Sequence, residues 1–142
     1  MGKDRKLRVD APHPFDVDAF LAQPLVARVA TSGPSVRPVW FLWEEGAFWW
    51  LSHAKNWLVR RVAERPEVAL VVDTCDLRTG HVRQVLARGR AEVVPLDLGL
   101  ARRKFSKYLG MDPTAWDPRF WASTMSDPET RLIRMLPATL RA

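Results

Sequence analysis

A mainly β fold, a small antiparallel barrel of six or seven strands with peripheral helices, follows from three features of the sequence. Runs rich in β-branched and aromatic residues recur at 25–31, 36–43, 47–51, 67–73, 81–94, 131–136 and 138–141. Tight turn signals, Ser32-Gly33-Pro34 and Glu44-Glu45-Gly46, join several of them, so neighbouring strands run antiparallel. Eleven prolines in 142 residues argue against a helical bundle, because proline interrupts helices. This length suits one domain. We expect a flexible arm at 1–14, which is polar and carries Pro12 and Pro14, and a single domain over 15–142.

The elements follow in order. Asp16 or Asp18 caps a short helix with Phe15, Phe20 and Leu21 on its apolar side, and Pro24 ends it. The run 25–31 is the first strand and 36–43 the second; Pro38 within the second implies a sheet edge. After the Glu45-Gly46 turn, 47–51 returns as the third. Ser52 stands where an N-cap belongs, opening a helix over 53–64. Trp57, Leu58 and Val62 face inward on it, and Arg60, Arg61 and Arg65 largely outward. Pro66 stops this helix, and 67–73 is a strand rich in valine. The segment 81–94 is long enough for a bent strand, with Gly89 as its bulge point. Asp97 caps a helix carrying Leu100, Phe105, Tyr108 and Leu109 as apolar positions, closed by Gly110. Asp117-Pro118 starts a further helix that buries Phe120, Trp121 and Met125. Pro137 separates two terminal strands, 131–136 and 138–141.

Composition narrows the function. A net charge of +6 favours anionic partners, but the basic residues are dispersed and mixed with acids. No tight cluster of basic and stacking residues supports nucleic-acid binding. The single Cys75 excludes an intramolecular disulfide and suits a reducing compartment. No stretch has the length of a membrane span, and the N-terminus lacks the apolar core of a signal peptide, so a cytoplasmic protein is expected. His13, His53 and His81 show no zinc spacing, and no metal site is assigned. There is no P-loop, no G-x-G-x-x-G and no G-x-S-x-G elbow.

One segment suits a phosphate. A helix N-terminus offers free N–H groups and partial positive charge, and Ser52-His53-Ala54-Lys55-Asn56 adds a hydroxyl, an ammonium and an amide. The neighbouring strands carry Trp40, Trp43, Trp49 and Trp50, able to bound a flat ring. A capped surface helix over a tryptophan-rich core accounts for the same pattern.

The order and spacing of several segments resemble one family. These are Thr31, Val36-Arg37-Pro38-Val39-Trp40-Phe41, a basic helix ending Glu64-Arg65-Pro66-Glu67-Val68-Ala69-Leu70-Val71-Val72-Asp73, then Arg83-Gln84-Val85 and Gly89-Arg90-Ala91. Over about residues 20 to 95 the chain resembles the pyridoxamine 5′-phosphate oxidase-like FMN-binding split-barrel flavoproteins, which include the deazaflavin (F420)-dependent reductases. The resemblance implies a split β-barrel homodimer with cofactor at the subunit interface. The Arg37 to Phe41 strand would run along the isoalloxazine, with Leu51 and Ser52 near the ribityl-phosphate and the Gln84 amide reaching the cofactor.

The chain departs from the family at one place. Many relatives carry a phosphate-binding lysine eight residues before the helix-ending proline, often preceded by arginine; here those positions are Leu58 and Trp57. Lys55, one turn earlier, and Arg60 and Arg61, which follow, are candidates for the redistributed contact. The expected cofactor-binding set is Arg37, Pro38, Val39, Trp40, Leu51, Ser52, Lys55, Arg61 and Gln84, with no protein nucleophile required. The expected function is an FMN-dependent oxidoreductase that transfers hydride to or from a small molecule entering beside Trp40, Trp43 and Phe120-Trp121. The alternatives are an F420-dependent reductase and a non-catalytic cofactor-binding or ligand-binding protein of the same fold.

Overall fold

The computed structural model describes residues 13–142, so the expected arm at 1–14 lies almost wholly outside the described residues. The helices are α1 (Val17–Leu21), α2 (Trp57–Glu64), α3 (Leu98–Leu109) and α4 (Pro118–Ser126), with a 3-10 turn at Pro113–Ala115. The strands are β1 (Val26–Thr31), β2 (Ser35–Trp40), β3 (Leu42–Glu44), β4 (Ala47–His53), β5 (Glu67–Asp76), β6 (His81–Val94) and β7 (Thr130–Arg141). They form one seven-stranded sheet in the order β2-β1-β5-β6-β7-β4-β3, with every pairing antiparallel.

The two edges of the sheet, β2 and β3, are separated in sequence by Phe41 alone. The sheet therefore curls until its edges face each other, and the chain steps from one to the other through this residue: a split barrel. The single strand expected over 36–43 is thus two strands broken at Phe41. Sequence alternation does not register the break, because Phe41 is fully buried and its neighbours are as apolar as a strand requires.

Strand alternation fills the interior. Ala27 and Val29 of β1, Phe48 and Trp50 of β4, Val68, Leu70 and Val72 of β5, and Val85 and Ala87 of β6 point inward at a period of two. Phe20 and Leu21 of α1 and Leu58, Val59 and Val62 of α2 join the same core. Gly89 forms the expected irregularity. The β6–β7 register slips between Arg88 and Gly89, and a Cβ on Gly89 would lie 2.0 Å from the Leu136 carbonyl oxygen. Pro137 sits opposite Gly89, so it is absorbed at the slip and β7 runs unbroken where two strands were expected.

Two helices differ from expectation. β4 continues through Ser52 and His53, which pair with Arg131 and Thr130 of β7. The helix expected from residue 53 therefore starts at Trp57, with Asn56 as cap: its Oδ1 accepts from Leu58 N at 2.9 Å. α4 begins at Asp117-Pro118 as read, yet none of its residues is buried, and Phe120 is 39% exposed. It lies over a cleft rather than in the core. α3 keeps its expected bounds, capped by Asp97 and closed at Gly110 with φ of 96°.

Candidate functional site

The step through Phe41 leaves main-chain groups outside the sheet ladder, and α3 satisfies them. Tyr108 OH accepts from Phe41 N at 2.9 Å and donates to Leu25 O at 2.6 Å. Lys107 Nζ donates to Leu21 O and Phe41 O, each at 2.8 Å. Arg103 grips Glu44 of β3 with two bonds of 2.9 and 2.6 Å, which raises its already high pKa further. One helix thereby straps both edges of the split, and its next turn faces the cleft beside them. Trp40, the last residue of β2, stacks on Tyr108 at 4.5 Å between centroids and on Phe120 of α4 at 5.4 Å.

Two adjoining cavities open beside this strap, sharing Trp40, Leu51, Ser52 and Lys104. The inner one, about 240 Å³, is also lined by Arg37, Pro38 and Val39 of β2, by Trp50, and by Asn56 and Leu58 at the start of α2. The outer one, about 440 Å³, is roofed by Arg119, Phe120, Ser123 and Thr124 of α4, with His53, Phe105 and Asp127 around it. That volume falls within the usual range of small-molecule sites, about 300–1,000 Å³.

Of the residues expected from the sequence, Arg37, Pro38, Val39, Trp40, Leu51 and Ser52 meet around the inner cavity. The other three lie elsewhere. Lys55 is exposed, and its backbone N donates to His53 Nδ1. Gln84 is exposed and borders a separate cavity with Phe15, His81, Val82 and Arg83. Arg61, expected largely outward, folds back instead. Its guanidinium lies 4.9 Å from the Trp57 ring and against Gly33, and its Nε is buried without a partner. Trp43 and Trp49 serve structure, donating to Asp18 Oδ1 and Glu44 O. Phe120 reaches the outer cavity, whereas Trp121 packs edge-on against Phe105 and Trp116.

The site is electropositive. Lys104 is 5% exposed and lines both cavities; among the described residues it has no hydrogen-bond or ion-pair partner. Burial pulls its ammonium down to about 8. Lys107 falls to about 7, through burial and then repulsion from Lys104. Burial pushes the Tyr108 hydroxyl up to about 12, with the bond from Phe41 N–H acting the other way. Around the outer cavity, Asp127 is engaged by His53 at 3.3 Å, and Arg119 is held by Asp117.

A phosphorylated flavin needs an aromatic and apolar wall, a few polar groups at its edge, and a cation. The residues present fit that list in kind: Trp40, Val39 and Leu51 for the wall, Ser52 and Asn56 for polar contacts, and Lys104 for charge. Trp50, fully buried with an unpartnered indole N–H, borders the same cavity. Asn56 belongs to the segment that the sequence offers for a phosphate, whereas Lys104 is not among the residues expected from the sequence. Helical spacing did hold a signal for Lys104, which shares the inward stripe of Leu100, Ala101, Phe105 and Tyr108.

Comparison with known proteins bears on this arrangement. The family model for pyridoxamine 5′-phosphate oxidase matches residues 16–142. No curated protein matches the sequence. Among solved structures, a conserved hypothetical protein from Mycobacterium tuberculosis superposes with a TM-score of 0.74 at 18% identity, covering 96% of this chain and 88% of that one. An F420 reductase gives 0.65 at 21% identity, covering 92% and 98%. An FAD-binding protein from Mesorhizobium loti gives 0.61 at 18% identity, covering 89% and 92%. At these identities the likeness establishes the fold.

Proposed function

This chain belongs to the pyridoxamine 5′-phosphate oxidase family, and on that premise we propose that it is an FMN-dependent oxidoreductase acting on a small molecule. The observation that carries the reading is the convergence of Arg37, Pro38, Val39 and Trp40 of β2 with Leu51 and Ser52 of β4 on one cavity. These are segments that the family resemblance of the sequence assigns to the cofactor. When bound, the flavin supplies hydride transfer. The chain supplies the rest. Trp40 and Val39 offer an apolar wall, Ser52 and Asn56 offer hydrogen bonds, and α4 limits water access through the outer cavity.

A homodimer is part of the proposal. The β2 edge exposes Val36, Arg37 and Pro38, so the inner cavity is open on the side a second copy would cover. The separate position of Gln84 leaves its expected role to the second subunit. Light scattering tests this part; a stable monomer at micromolar concentration contradicts an interfacial site.

F420 is the second reading, supported by the likeness to an F420 reductase across 98% of that chain. Fluorescence titration of the protein with FMN and with F420 tests both. Binding of FMN in the micromolar range supports the first reading and tighter binding of F420 the second; binding of neither contradicts both. A protein that holds its flavin but cycles it with no reductant or acceptor is the non-catalytic binder instead.

A further inference from the structure

We infer that Lys104 is the cation that receives the phosphate of the bound ligand, in place of the helix positions held here by Trp57 and Leu58. The inference rests on the reading above that the cavity takes a phosphorylated flavin or deazaflavin.

The argument begins with what the other cations are doing. Leu58 is 3% exposed and belongs to the core, and Trp57 lies under the guanidinium groups of Arg61 and Arg37, at 4.9 and 5.8 Å. Both positions are therefore committed to packing. Lys55 is exposed and does not line either cavity. Arg61 is turned toward Glu64, Trp57 and the Gly33 turn. Lys107 spends its protons on Leu21 O and Phe41 O. Arg119 is occupied by Asp117.

Lys104 differs from all of these. It projects from the buried stripe of α3 and borders the inner and the outer cavity, beside Ser52 in both and Asn56 in the inner one. Its nearest described aromatic contact is the Phe105 ring, 4.6 Å from Nζ, and no carboxylate among the described residues pairs with it. A buried ammonium without a counter-ion is costly, and an anion bound beside it offsets that cost. The Asn56-capped start of α2 borders the same inner cavity and adds partial positive charge there. An ammonium, a hydroxyl, an amide and a helix terminus around one space form an anion site. FMN and F420 both present a phosphate to it.

The test uses FMN and riboflavin, which share a ring and differ by the phosphate. Equilibrium quenching of the intrinsic tryptophan fluorescence reads affinity without reference to turnover. Lys104→Met is expected to weaken FMN binding by about 10- to 100-fold, the loss of one charged hydrogen bond, and to leave riboflavin binding unchanged. Lys104→Arg keeps the preference for FMN. Lys104→Gln, read in parallel, removes the cation without adding an apolar side chain and serves if Lys104→Met does not fold. FMN binding by the charge-removing variants at wild-type strength overturns the role of Lys104 and leaves the cofactor reading standing. If neither FMN nor F420 binds, but inorganic phosphate raises the melting temperature of the wild type and not of Lys104→Met, the cofactor reading falls and Lys104 stands. Absence of both responses overturns the two together.

Discussion

Replacing Tyr108 by phenylalanine removes one oxygen and leaves the ring that stacks on Trp40 at 4.5 Å. That oxygen accepts from Phe41 N at 2.9 Å and donates to Leu25 O at 2.6 Å. After the change, Phe41 O keeps its bond to Lys107 Nζ at 2.8 Å, so only Phe41 N–H and Leu25 O lose a partner. Leu25 is half-buried and its carbonyl regains water, whereas Phe41 is fully buried. The cost is therefore close to that of one orphaned buried amide, about 1–3 kcal/mol. In urea, with a slope of about 1–3 kcal/mol/M for a protein of this size, the midpoint falls by roughly 1 M and the slope stays constant. Equilibrium unfolding followed by tryptophan fluorescence and by far-UV circular dichroism gives the number. A loss below about 0.5 kcal/mol, half of one net hydrogen bond, refutes the claim that α3 completes the backbone at the split.

Three further outcomes follow from the same structure. Gly89→Ala forces a Cβ to 2.0 Å from the Leu136 carbonyl oxygen and 2.8 Å from its carbon, so strands must separate; we expect a loss above about 2 kcal/mol by thermal melting, in the range of overpacked cores. Asn56→Ala removes the cap on Leu58 N and is expected to cost about 1 kcal/mol in the same assay. Stability should rise as pH goes from about 7 to about 10, because the folded ammonium of Lys104 titrates near 8 and that of Lys107 near 7, both below the ordinary 10.5. Such a contribution is complete above the unfolded value and is lost as pH falls through the folded one. For Lys104 the gap corresponds to roughly 3 kcal/mol at most. Lys104→Met flattens the profile, urea midpoints at pH 7, 8, 9 and 10 measure it, and a flat wild-type profile contradicts the burial of both charges. Above pH 10 the trend reverses, since Tyr108 is held protonated to about 12 in the folded state and ionises near 10.0 when unfolded.

Much of this fold was legible because its signals are local. The Glu45-Gly46 turn has φ of 55° and 69°, the left-handed pair that a tight hairpin needs, and the residue types announce it. Gly89 was readable as a bend for a similar reason, although its close approach to Leu136 O was not. The break at Phe41 escaped reading because it is a property of barrel closure. Nothing within five residues distinguishes a strand that continues from one that crosses to the opposite edge. The late start of α2 has the same origin: β7 pairs with Ser52 and His53 and holds them extended, where local preference alone would start a helix. α4 misled because its aromatic stripe reads as core, yet it covers a cleft and stays partly exposed.

The candidate site divides along the same line. Arg37, Pro38, Val39, Trp40, Leu51 and Ser52 come together because β4 runs on past its last pair with the short edge strand β3, Leu42 with Trp49, and there approaches β2 across the split. Lys104 comes from a helix more than forty residues later in the chain, brought in by the bonds that Arg103, Lys107 and Tyr108 make to the barrel. Its place on the inward stripe was visible in the sequence, but what that stripe faces depends on tertiary docking.

The central claim, that the cavity between β2 and β4 takes a phosphorylated flavin, is tested most directly by the indole N–H spectrum of the nitrogen-15-labelled protein titrated with FMN. Trp40 and Trp50 border that cavity, whereas the Trp116 indole is committed to Gly110 O at 2.8 Å. Assigned by single tryptophan-to-phenylalanine variants, the Trp40 and Trp50 resonances should shift and saturate with FMN while that of Trp116 stays in place. Saturating FMN that leaves Trp40 and Trp50 unmoved would contradict the account.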